Sequence, residues 1–155
     1  MSDSEHEVPA GFERAALGLG FADYLQPLYR RLDGDEATMG MRVSKSHINL
    51  MGFCHGGVFM TLADIAAAVS LHVAREKLSP LPTVNLSFDF MASAKVGDWI
   101  EARADHVESK RRLGFCSGAI YRDDTALVRY SGTFYYVDPA KAVPGVLESH
   151  PMFNA

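Results

Sequence analysis

The sequence predicts an α+β domain in which an antiparallel sheet wraps around one long central helix. Three observations predict it. From Val58 to Val69 every side chain is apolar or small except Thr61 and Asp64. Further on, Val84, Leu86, Phe88 and Phe90 alternate with Asn85, Ser87 and Asp89, the period of two of a half-buried strand. The later segments are joined only by the turn signals KVGD (95–98), SKRRLG (109–114) and RDDT (122–125). Short connections favour antiparallel pairing, because a parallel pair needs a crossover.

The bulk numbers narrow the function classes. At 155 residues the chain suits one domain with a real core. A hydrophobic share of 48% and a charged share of 22% are those of a soluble globular protein. A net charge of −4 argues against nucleic acid as a partner, since no basic excess is there to meet phosphates. Cys54 and Cys116 show neither CxxC nor ligand spacing and are read as reduced thiols of a cytosolic protein. The N-terminal MSDSEHEVPAGFE is acidic and has no apolar core, so no secretory signal is read there and a cytoplasmic location is expected. The apolar run Val58–Ala74 contains Asp64 and His72 and is followed by Arg75, Glu76 and Lys77, too polar for a membrane span. His6, His47, His72, His106 and His150 follow no ligand spacing, and no metal is expected.

The elements follow in order. Residues 1–8 read as a disordered N-terminus, 9–137 as the single domain and 138–155 as a C-terminal tail. Pro9–Leu17 fits a short helix, with proline in its first turn and Gly18 or Gly20 to end it. Within Pro27–His47 the DGDE turn and the alternation of Met39, Met41 and Val43 predict a hairpin, its second strand near Ala37–Ser44. His47–Cys54 is a loop. A helix from His55–Gly57 to about Lys77 would run roughly 34 Å. It is apolar on nearly all sides, as a buried helix is. LSPLP (78–82) breaks the chain. Strands follow over Val84–Phe90, Ile100–Asp105, Phe115–Tyr121 and Ala126–Val137.

This order, together with Asn49, Gly52, His55-Gly56-Gly57 and an aspartate nine residues after His55, resembles the hotdog-fold acyl-CoA thioesterases. The similarity is to the PaaI-like group, which includes the thioesterase superfamily member 2 type. It covers roughly Tyr29 to Val137 and includes the Lys95-Val96-Gly97-Asp98 turn. Ser93 departs from it, standing where many members carry proline. The resemblance implies hydrolysis of an aryl- or fatty-acyl-CoA, with coenzyme A as part of the substrate and no other cofactor. It also implies a homodimer or homotetramer with the active site at the subunit interface. A non-catalytic acyl-CoA-binding protein on the same fold is the alternative; a hydratase would use other motifs.

Residues and resemblance together nominate a site. A helix N-terminus offers free N–H groups and a positive dipole end, and Gly56 lets a ligand approach them. A thioester oxygen there would be polarised; a plain loop-to-helix turn also explains the motif. Asp64 is a carboxylate inside an apolar helix, a candidate general base or nucleophile. A half-exposed stripe of Thr61, Asp64, Ala68 and Arg75 is the structural alternative. By resemblance Asp64 acts on a thioester held by the other subunit's His-Gly-Gly end. Asn49 positions the carbonyl or the water, or is a turn residue. His55 supports the thioester or caps the helix. Thr83 orients the water, or merely opens a strand. A Cys54–His55 nucleophile pair is disfavoured, since adjacent side chains rarely face each other. Lys110, Arg111 and Arg112, with Lys95, are candidates to clamp the phosphates of coenzyme A, or are solvated hairpin tips.

Overall fold

The helix forms where the apolar period is densest and stops where its geometry runs out. In a computed structural model describing residues 7–15, 20–76 and 79–141, helix α1 spans Gly56–Arg75. Its 20 residues make about 30 Å of rod. Glu76 takes the left-handed conformation after it, and its N–H reaches back to Val73 O. The expected extension to Lys77 lies outside the described residues. Phe59, Leu62, Ala63, Ala66, Ala67, Ser70 and Leu71 are its buried positions. The alanines let the sheet come close, and Gly114 lets it come closer. A Cβ on Gly114 would stand 2.8 Å from Leu71 Cδ2.

Seven strands make one antiparallel sheet: β1 (Glu13–Arg14), β2 (Leu28–Asp33), β3 (Glu36–Arg42), β4 (Thr83–Phe90), β5 (Trp99–Ser109), β6 (Leu113–Arg122) and β7 (Thr125–Tyr135). Their order across the sheet is β1-β2-β3-β5-β6-β7-β4. The sheet curls around α1, which packs chiefly on β3, β5 and β6. Leu28, Met39, Met41, Ile100, Ile120, Leu127, Val128 and Phe134 close the core around it. The α+β reading therefore holds. By length and hydropathy α1 would also pass for a membrane span; here the curled sheet packs along it.

Two expectations are corrected. The segment read as a helix over Pro9–Leu17 instead turns at Ala10–Gly11 and forms β1, pairing Glu13 with Arg30 and Arg14 with Tyr29. Gly11 sits at φ +84°, which a helix cannot accommodate. Ala16 and Leu17 lie outside the described residues. The last strand ends at Tyr135 rather than Val137, because Tyr136 N–H turns to Arg112 O and Val137 N–H to Pro80 O. A 3-10 turn over Gly20–Leu25 also appears where no element was read. Of the N-terminal segment, Glu7 and Val8 are described, and Glu7 O accepts from Arg42 Nη2 at 2.5 Å.

Two buried histidines tie stability to pH. Burial pushes both His47 and His72 below the ordinary imidazole range. His72 Nε2 donates to Ser79 O at 2.8 Å, while its Nδ1 is buried with no acceptor among the described residues to meet a second proton. His47 Nδ1 accepts from Ser44 N–H at 3.0 Å, a bond that ring protonation would end. The unfolded chain takes up these protons near pH 6.5 and the folded chain only at lower pH. Stability is thus full above that value and is lost as pH falls toward the folded values. The thermal midpoint is expected to drop between pH 7.5 and 5.5, and to drop less in His72→Gln. A midpoint equally flat in both proteins would contradict this.

Candidate active site

The loop before α1 is built to present the helix N-terminus. Asn49 Oδ1 accepts from Met51 N–H (2.9 Å) and Phe53 N–H (3.2 Å), and Asn49 N–H donates to Phe53 O (2.8 Å). Gly52 completes the turn at φ +82°. The turn role of Asn49 is therefore realised, with its amide NH2 left over as a donor. His55 is the N-cap. Its Nδ1 accepts from Gly57 N–H at 2.9 Å, which leaves the ring proton on Nε2. The Gly56 N–H meets no acceptor among the described residues, as expected of the first helical position. Phe90, from the far end of β4, closes over Gly56; a Cβ there would touch its ring at 3.4 Å. Phe90 also lies against Phe59 and stacks with Phe88.

Two turns along α1, Asp64 is half-buried on a stripe with Thr61, Ala68 and Arg75, as the less apolar face predicts. It is not idle there. Thr83 Oγ1 donates to Asp64 Oδ1 at 2.6 Å, a short bond to a charged acceptor. The bond fixes one carboxylate oxygen and leaves Oδ2 to act. Two of the nominated residues, nineteen positions apart in sequence, are thus brought together. Gly56 is not brought to them. Eight helical residues separate it from Asp64, about 12 Å along the axis.

The other nominees divide. Cys54 is buried, and burial pushes its thiol up to about 12, so no thiolate stands beside His55. Cys116 is core, also about 12. Lys95 is exposed near the Phe53 ring, 6.0 Å from its centroid, at the start of α1. Lys110 pairs with Glu108 at 2.5 Å. Arg111 and Arg112 line a cleft at the opposite end of α1. Phe59 is 2% exposed and belongs to the core. Phe90, which the period of two marks only as a strand residue, was missed; the helix-end glycine it covers is the signal that points to it. Among the described residues, no group of three His, Cys, Asp or Glu converges as a metal site would need.

Residues 51–129, from the Asn49 turn through α1 to β7, match the family model described as Thioesterase superfamily. The chain belongs to the thioesterase superfamily. A Pseudomonas aeruginosa protein named only provisionally as an esterase is 31% identical over 129 residues, covering 83% of this chain and 96% of its own. Mouse acyl-coenzyme A thioesterase 13 is 31% identical over 77 residues, half of this chain and 54% of the mouse protein. Among solved structures, a mutant of the phenylacetic acid degradation protein PaaI from Thermus thermophilus superposes with a TM-score of 0.66 at 25% identity, over 76% of this chain and 98% of that one. The superfamily match and this neighbour make the fold a hotdog, a curled sheet around one helix.

Proposed function

We propose that this superfamily member is an acyl-CoA thioesterase whose reaction centre is shared by two copies of the chain. One observation carries the reading: Asp64 is tied to Thr83 and stands about 12 Å along the helix from the free Gly56 N–H. A reacting carbonyl must lie about 3 Å from both its nucleophile and its oxyanion donor. One protomer cannot supply both. A second copy, its helix alongside, brings the partner subunit's Gly56 to Asp64. The sheet offers the means of pairing. Among the described residues β4 is an edge strand bonded only to β7, and it carries exposed Val84 and Phe90, with Met91 exposed beyond it. An apolar open edge of this kind is usually covered.

In this arrangement the Gly56 N–H and the α1 dipole polarise the thioester carbonyl. Asp64 Oδ2 takes a proton from water as the water oxygen bonds to the carbonyl carbon. The tetrahedral carbon then expels sulfur as the C–S bond breaks, and the proton passes from the carboxyl group to the thiolate. Direct attack by Oδ2 starts from the same geometry: the new O–C bond forms, the C–S bond breaks to release the thiolate, and water cleaves the mixed anhydride to regenerate Asp64 and free the acid. Thr83 acts as a positioning residue by holding Oδ1. Leu50 and Met51 in the loop before α1, Met60 in its second turn and Phe90 beside Gly56 are exposed apolar side chains, which suits an apolar aryl or fatty acyl group. The likeness to mouse acyl-coenzyme A thioesterase 13 supports coenzyme A as the thiol.

Free-thiol release from a panel of aryl- and fatty-acyl-CoAs tests this. Turnover of at least one is expected. If none turns over while acyl-CoA raises the thermal midpoint, the chain is a binding protein and the proposal fails. Thr83→Val, which keeps the side-chain shape, is expected to lower kcat about tenfold with little change in KM, since a bond to a charged group is lost. Unchanged kcat would remove Thr83 from the mechanism.

A further inference from the structure

His47 is a buried, titratable side chain to which the reaction scheme gives no task. It is 4% exposed, although Ser44, Lys45 and Ser46 before it are all exposed. Burial holds its ring neutral. Nδ1 accepts from Ser44 N–H at 3.0 Å, with Ser44 Oγ 3.2 Å away, so the ring proton sits on Nε2. Nε2 is buried against the Tyr24 backbone without a hydrogen bond of good geometry among the described residues. An apolar side chain would fill the same space and leave no polar atom unsatisfied. What histidine adds at this position is the acceptor at Nδ1.

That acceptor stands at the root of the loop that carries the Gly56 N–H. His47 N–H donates to Ser44 O at 3.0 Å, so ring and backbone of one residue both close the turn from Ser44 to His47. The carbonyl of His47 then accepts from His55 N–H at 2.8 Å, and Ile48 bridges Cys54 just inside. The loop from His47 to His55 is therefore joined at its two ends through His47. On its other side His55 is held by the helix, since its carbonyl accepts from Val58 N–H at 2.9 Å and its Nδ1 from Gly57 N–H at 2.9 Å. The peptide that bears the Gly56 N–H is fixed by these bonds alone. We propose that His47 is a positioning residue: its Nδ1 locks the Ser44–His47 turn, and the His47 carbonyl thereby holds His55 so that the Gly56 N–H is aimed at the thioester oxygen. The inference rests on the thioesterase reading above and adds the chain of bonds that keeps the oxyanion donor in place. His47 itself touches no reacting atom. A group misplaced by about 1 Å can cost on the order of 10²-fold in rate, so a loosened turn is expected to show in kcat.

The test keeps one edge of the ring at a time. Asparagine puts an oxygen acceptor where Nδ1 stands, and glutamine puts a polar atom where Nε2 stands. With acyl-CoA as substrate, His47→Asn is expected to keep kcat within about threefold of the wild type, while His47→Gln lowers it about tenfold or more with KM within about twofold. Gly56→Pro deletes the N–H that His47 is held to aim. In that background His47→Gln should lower kcat no further, because the two changes act through one group. Equal kcat in the asparagine and glutamine variants overturns the assignment, and so does an undiminished further loss in the proline background. If His47→Gln does not fold, Ser44→Pro removes the same hydrogen bond from the exposed side and should show the same loss in kcat; unchanged kcat there overturns the assignment. If the wild type cleaves no thioester, the thioesterase reading has failed by itself. Amide hydrogen exchange then decides the positioning role: His55 N–H exchanging about tenfold faster in His47→Gln than in His47→Asn supports it, and equal rates overturn it.

Discussion

Asp64→Asn is expected to lower kcat for acyl-CoA hydrolysis about 10³-fold or more, with KM and thermal midpoint close to those of the wild type. The substitution is nearly isosteric. Thr83 Oγ1 still finds an oxygen acceptor at the position where it now bonds Asp64 Oδ1 at 2.6 Å. The amide cannot accept a proton from water and cannot attack a carbonyl, so the loss falls on chemistry rather than on folding. Steady-state thiol release over a range of substrate concentrations, with circular dichroism as a check on folding, measures it. Full activity in the variant would mean that the carboxylate is a structural partner of Thr83 and nothing more.

Gly56→Pro should have the second largest effect, and it isolates a single hydrogen-bond donor. Gly56 is the first helical residue, the one place in a helix where proline is welcome. His55 before it has φ −65° and ψ 138°, a conformation that a residue preceding proline readily adopts. The substitution deletes the N–H that meets no acceptor among the described residues and leaves the cap bond between His55 Nδ1 and Gly57 N–H in place. Loss of one oxyanion donor costs about 10²–10³ in kcat. Gly56→Ala keeps the N–H and meets the Phe90 ring only at ordinary contact distance, 3.4 Å, so its activity should stay near that of the wild type. Equal activity in the proline and alanine variants would exclude the helix N-terminus as the oxyanion donor.

Much of this was legible in the sequence because periodicity carries it. The helix and the four strands after it repeat at 3.6 and 2, and those patterns report burial directly. β1 was missed because Glu13 and Arg14 are a two-residue edge strand with both side chains exposed; without a buried face there is no pattern to read. Sheet order was hidden for a different reason. β4 and β5 are joined by a short segment, yet β4 pairs with β7 and β5 with β3. That choice is made by how the sheet curls around α1, which no local signal encodes. In the candidate site, Asp64 stood out as a charge among apolar neighbours, and resemblance to a family nominated Thr83. The Thr83–Asp64 bond itself needed the fold.

The central claim, a reaction centre shared between two copies, is tested most directly by mixing two inactive proteins. Co-expressed Asp64→Asn and Gly56→Pro chains assemble at random, and about half of the dimers contain one of each if the variants pair like wild type. In such a dimer one site joins the Asp64 of the proline variant to the Gly56 N–H of the asparagine variant and is complete, while the other carries both lesions. The account predicts that the mixture regains about a quarter of wild-type kcat per chain, far above either variant alone. Activity no higher than the average of the two separate variants, with mixed dimers verified by differential tags, would contradict it.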